Sequence, residues 1–310
     1  MRILVTGGFG YLGSHIAEHL RKSGHAVRIL ARRVPPALSD WSRAFDLAVG
    51  DIADPESIRG CCREREIVIH AAALNEIHCR TRPREALLTN GLGTRNVLEE
   101  ACAAGVRSFI YLSTFHVYGP PRTEVITEKT PPRPVTDYAI THLVAETYAR
   151  AFESDGKIRS FILRISNGYG APLFQAIDRW TLVVNDLCRQ AYSEGRIVLR
   201  SRGTQERDFV GIPDILQAVG IFVDRPPKVG GVYNVGSGRS STIRAVAETV
   251  AEVYRERYAR PIAVEIAPNA ADPDIPRPFR YSIEKLARLG YHPQAEMRPE
   301  IHRIFELLER

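Results

Sequence analysis

The first six residues form a short β-rich apolar run (RILV within 1–6). They lead into glycines at 7–13 and then into residues 14–23, where Ile16, Ala17 and Leu20 recur at helical spacing. That order predicts strand, glycine turn, helix. Apolar runs at 26–31, 67–73, 108–113 and 160–165 predict further strands, and helical patterns fill 84–104 and 138–153. Strands alternating with helices imply an α/β fold built on a parallel, doubly wound sheet with right-handed crossovers. Residues 119–134 hold five prolines, so this segment can be neither helix nor central strand and is read as a loop after a strand end. Beyond Gly170 the pattern changes to mixed helices and short strands, a smaller C-terminal α/β lobe ending near Tyr291-His292-Pro293. The expected division is a nucleotide-binding domain at 1–168 and a substrate-binding lobe at 169–310. Part of 209–238 is expected to return to the first domain.

Composition narrows the class. At 310 residues, 44% hydrophobic and 25% charged, the chain can bury a sizeable core and is neither disordered nor fibrous. No apolar run approaches the ~20 residues needed to cross a bilayer, and the opening lacks the apolar core of a signal peptide, so the expectation is a cytoplasmic protein without a membrane partner. The five cysteines, Cys61, Cys62, Cys79, Cys102 and Cys188, are odd in number and lack C-x-x-C spacing, which indicates neither a disulfide framework nor a metal site. The net charge is +6, but arginines occur singly along the chain and lysines are only Lys22, Lys129, Lys157, Lys228 and Lys285. Anionic small ligands are therefore expected rather than nucleic acid.

Gly7, Gly10 and Gly13 give a G-x-x-G-x-x-G turn between strand and helix, where a missing side chain lets a pyrophosphate reach helix-start amides. This points to a Rossmann-type dinucleotide site. At the end of the second strand, where an NAD enzyme carries an acid for the ribose hydroxyls, stand Ala31, Arg32 and Arg33. A guanidinium there suits a 2′-phosphate, which favours NADP with NAD possible, although both arginines would also serve as solvated surface charges. Asp51 is placed to bind adenine, and an exposed turn aspartate would look the same.

An ordered series of tags runs along nearly the whole chain: GGFGYLG at 7–13, His70-Ala71-Ala72-Ala73, Asn90-Gly91-Leu92-Gly93-Thr94, Leu112-Ser113-Thr114 leading to Val117-Tyr118-Gly119, and Tyr138. Leu163-Arg164-Ile165-Ser166-Asn167, Arg207-Asp208-Phe209-Val210 and Tyr233-Asn234-Val235-Gly236 complete it. The series resembles the extended short-chain dehydrogenase/reductase family of NAD(P)-dependent nucleotide-sugar epimerases, dehydratases and ketoreductases. The resemblance implies a catalytic Thr114 that hydrogen-bonds the reacting sugar oxygen and a Tyr138 that exchanges a proton with it. His142 stands where the family has a lysine that holds the nicotinamide ribose and lowers the tyrosine pKa. It implies a cofactor set of Gly7, Gly10, Tyr11, Leu12, Gly13, Arg32, Arg33, Asp51, Ile52, Ala71, Ala72, Asn90, Tyr138 and His142. A nucleoside-diphosphate sugar would meet Thr114, His116, Asn167 and Arg207, with Arg277 or Arg280 as a second diphosphate arginine. The acid pair that eliminates water in the family's dehydratases is replaced by Phe115 and His116, which disfavours dehydration. A homodimer through 84–104 and 138–153 is also implied.

The histidine matters because tyrosine titrates near ~10 and needs a nearby positive charge to act as a base at neutral pH: a protonated imidazole could lower the tyrosine pKa, and a neutral one could still bind the ribose hydroxyls. The expected function is reduction of a 4-keto nucleotide sugar with NADPH, Tyr138 giving the proton. The alternatives are a C4 epimerase with a tightly held cofactor and a catalytically silent NADP-binding sensor.

Overall fold

Ile3, Leu4 and Val5 are fully buried in the strand Arg2–Thr6, the hub of a seven-stranded sheet. In the computed structural model, which describes residues 1–268, 270 and 278–310, this sheet runs in a fixed spatial order. From edge to edge it is Gly231–Val235, Arg159–Ile165, Ser108–Thr114, Ile67–His70, Arg2–Thr6, Ala26–Ala31 and Asp46–Val49. The pairings from Arg159–Ile165 through Asp46–Val49 are parallel. Strands covered on both faces need continuous apolar character, and Ser108–Thr114 is buried at all seven positions. The chain leaves Arg2–Thr6 in one direction and later returns to its other side with Ile67–His70. This reversal is the place where open α/β sheets bind ligands, beyond the carboxyl ends of the strands.

Two helices flank that edge. The helix Asp137–Ser154 begins at Thr136, whose hydroxyl accepts from the Ala139 amide 3.3 Å away. The helical pattern at 84–104 is not one regular α-helix. It runs as Pro83–Ala86, a π-helical turn over Leu87–Leu92, and Gly93–Ala103. Within and after the turn, Gly91 and Gly93 lie close to Val144 and Ile52, where a Cβ would stand 3.2 and 2.8 Å from those side chains. The strand read at 67–73 stops at His70, because residues 71–73 leave the sheet to line the glycine turn.

By contacts the chain forms two units. One comprises residues 1–120, 130–165 and 216–234, and the other residues 121–129, 166–215 and 235–310. The second unit has its own core, in which the helices Val183–Glu194, Ile243–Tyr258 and Met297–Leu308 bury Leu187, Val250 and Phe305. Its strand Glu206–Gly211 lies between Asn167–Tyr169, parallel, and Ser240–Thr242, antiparallel. The proline-rich loop contributes only the two-residue strand Val125–Ile126, paired with Arg280–Tyr281. No helix among the described residues is long and apolar enough to cross a membrane.

Candidate active site

The glycine turn is shaped by close approach. Gly7 has φ +66°, and a Cβ on it would stand 2.8 Å from the Ala72 Cα. A Cβ on Gly13 would overlap the Gly7 carbonyl. Gly10 caps the helix Tyr11–Lys22 without a side-chain bond, so the first-turn amides of Tyr11 and Leu12 have no acceptor within the helix. A Cβ on Gly10 would meet only the Gly7 carbonyl, 3.1 Å away, which leaves its other side open. An anion fits here: first-turn backbone amides at the positive end of a helix dipole.

A buried polar chain fixes the neighbouring strand ends. Thr6 Oγ1 accepts from the Ala72 amide (3.2 Å) and stands 2.8 Å from His70 Nδ1, while His70 Nε2 stands 3.0 Å from Thr94 Oγ1. Thr94 gives its own proton to the Asn90 carbonyl at 2.6 Å. The accounting leaves one arrangement: Thr6 donates to Nδ1, and His70 carries its proton on Nε2. Burial pushes the His70 pKa down to about 3, consistent with a neutral ring. Asn90 is buried, with Oδ1 accepting from the Leu74 amide (2.7 Å) and Nδ2 donating to Thr141 Oγ1 (3.0 Å), so it ties the loop after Ile67–His70 to the helix Asp137–Ser154.

On that helix Tyr138, His142 and Glu146 recur every four residues and share one face. The half-buried Tyr138 ring meets the buried His142 ring edge-on at 4.5 Å and the exposed His116 ring at 6.1 Å. Thr114, at the end of its strand, accepts from the His116 amide at 3.2 Å, a bond that uses a lone pair and not the hydroxyl proton. The three expected catalytic side chains thus belong to one corner of the first unit. Phe115 is buried.

Behind them Glu146 and Arg164 form a fully buried two-bonded pair at 2.9 and 2.6 Å, with Ser113 Oγ donating to Glu146 at 2.6 Å. Burial pulls the Arg164 guanidinium down, but the Glu146 carboxylate outweighs it and holds the pKa above its ordinary value. The guanidinium also lies 4.6 Å over the Tyr118 ring, whose hydroxyl donates to Asn234.

The expected adenosine side is more open. Asp51 Oδ1 accepts from the Ala53 amide at 3.0 Å, an Asx turn, and Ile52 is buried against Gly93. Arg32 and Arg33 are exposed beyond the strand end, without a carboxylate partner among the described residues.

In the second unit Asn167 Nδ2 donates to the Asp208 carbonyl (2.9 Å), and its Oδ1 accepts from Arg207 Nη1 (3.3 Å). Arg207 makes no salt bridge to Asp208: successive strand residues face opposite ways. The Asp208 carboxylate instead accepts from Ser166 Oγ, the Ser237 amide and Ser237 Oγ. Burial raises the Asp208 pKa to about 6 and lowers that of Arg207, which has no carboxylate partner among the described residues. Arg280 is engaged by Glu284 at 2.9 Å, and Arg277 lies outside the described residues.

The sequence profile of the NAD dependent epimerase/dehydratase family matches residues 3–236. The chain belongs to that family. To the family's UDP-arabinose 4-epimerase 1 of Arabidopsis thaliana it is 28% identical over 274 residues, covering 79% of this chain and 65% of that protein, just under two thirds of its length. To dTDP-glucose 4,6-dehydratase of Mycobacterium tuberculosis it is 30% identical over 249 residues, covering 76% and 72%. Among solved structures it resembles the Thermus thermophilus UDP-glucose 4-epimerase complex with NAD, at TM-score 0.84 and 27% identity, covering 100% of this chain and 99% of that one. The doubly wound α/β architecture is thus the family's Rossmann-like fold. Within this extended short-chain dehydrogenase/reductase frame, sequence reasoning passed over Glu146, Tyr111 and the Ser166–Asp208–Ser237 cluster. A signal for one of them was present: Arg164 is a lone charge in the apolar run Phe161-Ile162-Leu163, which asks for a buried counter-ion.

Proposed function

We propose that the chain is an NAD(P)-dependent enzyme acting at C4 of a nucleoside-diphosphate sugar, with epimerisation as the first reading. The observation that carries it is the corner where Tyr138 packs on His142 at 4.5 Å beside the strand end that bears Thr114. The helix-start amides at the glycine turn would hold the dinucleotide pyrophosphate, with His142 at the ribose. The dinucleotide, when bound, supplies the hydride donor and acceptor. Thr114 orients the sugar oxygen by its hydroxyl proton, and Tyr138 takes the proton from that oxygen on oxidation and returns it on reduction. Arg207, a half-buried cation bonded to Asn167, suits the diphosphate. Phe115 and His116 do not supply the acid pair for eliminating water, which speaks against dehydration although relatives include dehydratases.

A second reading, reduction of a 4-keto sugar by NADPH, is favoured by Arg32 and Arg33 beyond a strand that ends in Ala31 rather than an acid. A cytoplasmic setting goes with either reading. So does a homodimer, supported by the exposed Leu87, Leu88, Leu92 and Ile140 on the two helical segments; Leu88→Asp should shift sedimentation to the monomer.

The test incubates the protein with UDP-glucose or UDP-galactose and each cofactor, following absorbance and the sugar product. Tyr138→Phe should slow turnover by about 10²–10⁴-fold. Near-parent turnover in that variant would sink the proton role and make His116 the next donor. Ala31→Asp with Arg32→Asn should reverse a preference for NADP, and equal parent affinities would refute that preference. No absorbance or product change with any sugar nucleotide would leave a silent binding module.

A further inference from the structure

The Tyr111 hydroxyl lies 2.6 Å from His142 Nδ1, and both residues are buried. Tyr111 sits on the strand Ser108–Thr114, three residues before Thr114, with its ring stacked on His70 at 5.8 Å and near His142 at 5.8 Å. Burial, reinforced by the negative Glu146, holds the phenol pKa well above its usual range, so the oxygen keeps its proton. A neutral imidazole carries one N–H and one acceptor nitrogen, and its partner decides which is which. A phenol O–H is a better donor than its oxygen is an acceptor, so the proton of this bond belongs on Tyr111 and Nδ1 accepts. The one N–H of the ring is then Nε2, on the far side of the imidazole from Tyr111.

We propose that Tyr111 is a positioning residue for His142, fixing the imidazole as the neutral Nε2–H tautomer so that it offers one aimed donor. A lysine ammonium has three rotatable donors and needs no such partner. A histidine does, because a ring flip or a tautomer change would replace its N–H with carbon or a lone pair. The purpose of this arrangement rests on the cofactor role proposed above for His142; the hydrogen bond and its tautomer do not.

The experiment labels the histidines with ¹⁵N and assigns His142 by comparison with His142→Lys. In the parent, Nδ1 should resonate as an unprotonated, hydrogen-bonded nitrogen and Nε2 as N–H, while Tyr111→Phe, which removes only the hydroxyl, should give a mixture of tautomers. A protonated Nδ1 in the parent, or an unchanged tautomer in Tyr111→Phe, overturns the proposal. In parallel, NADH and NADPH are titrated by fluorescence. Tyr111→Phe should weaken binding about three- to tenfold with His142 present, the loss expected for one hydrogen bond, and less than about twofold in the His142→Lys background. Equal losses in both backgrounds would make Tyr111 merely structural and overturn the positioning role. If neither cofactor binds the parent, the functional reading fails, and the tautomer result still decides for or against the Tyr111–His142 arrangement.

Discussion

The two units treat buried charge in opposite ways. In the first, Glu146 and Arg164 are fully buried but complete each other through two hydrogen bonds, with Ser113 occupying a further lone pair. In the second, Asp208 is held by serine hydroxyls and an amide with no cation bonded to it among the described residues, and the adjacent Arg207 meets an asparagine oxygen instead of a carboxylate. A paired buried charge is neutralised by its partner, and it suits the back wall of the corner that carries Tyr138. An unbalanced one keeps its field for something that arrives later. Arg164 thus has its counter-ion within the fold, whereas Arg207 has none among the described residues, which is what the proposed diphosphate role would use.

The largest effect should come from breaking the balanced pair. Glu146→Ala strands a buried guanidinium and should destabilise the protein by about 3–5 kcal/mol in chemical denaturation; a loss under about 1 kcal/mol would mean that the pair is not the strut described. Next is the unbalanced acid. Asp208 has a folded pKa near 6, raised from the ordinary 3.8, so the folded state holds a proton that the unfolded chain has released. Its stabilisation is complete below pH ~4 and is lost as pH rises to about 6, roughly 3 kcal/mol from a two-unit difference. Asp208→Asn should remove that falling contribution, so its stability should rise relative to the parent's as pH goes from 4 to 6. His70 in the first unit works in the opposite sense, its neutral form contributing fully above pH ~6.5 and losing ground as pH falls toward 3. The two contributions offset each other in the parent between pH 4 and 6, so identical pH curves for the parent and Asp208→Asn would blur the contrast between the units. The smallest effect on stability belongs to Arg207→Gln, which should stay within about 1 kcal/mol of the parent while raising KM for a nucleotide sugar about ten- to a hundredfold, or ~1.4–2.7 kcal/mol. Loss of stability without a change in KM would make Arg207 structural, like Arg164.

Local signals carried much of this. Strand and helix alternation, the glycine spacing and Tyr138 with His142 four residues on are all properties of neighbouring residues, and they were readable along the chain. The edge strand Asp46–Val49 was not, because its apolar run Leu47-Ala48-Val49 is too short to show a period, and in the fold none of its four positions is buried. The partnership of Tyr111 with His142 joins residues 31 apart through sheet–helix packing, and nothing in the spacing announces it. That Arg207 does not bond its neighbour Asp208 follows from the strand period itself: neighbours in a strand face apart. The tilt of Asp208 toward the protonated state was invisible for another reason, since it comes from burial, and the opposing donors Ser166 and Ser237 lie 42 and 29 residues away.

The π-helical turn at Leu87–Leu92 has a consequence for inheritance. Each residue in an α-helix advances about 100° around the axis, and a π turn absorbs one residue more than the regular winding would. The helical segment therefore carries a phase shift: at its start Leu87 and Leu88 face outward, and beyond it Val97, Leu98 and Ala101 face the core. Deleting a single codon within this turn would leave a continuous, well-wound helix and a readable frame, yet it would rotate one half against the other. The outward leucines would be turned toward protein or Asn90 away from Leu74, so the descendants of such a deletion would keep their helix and lose their corner.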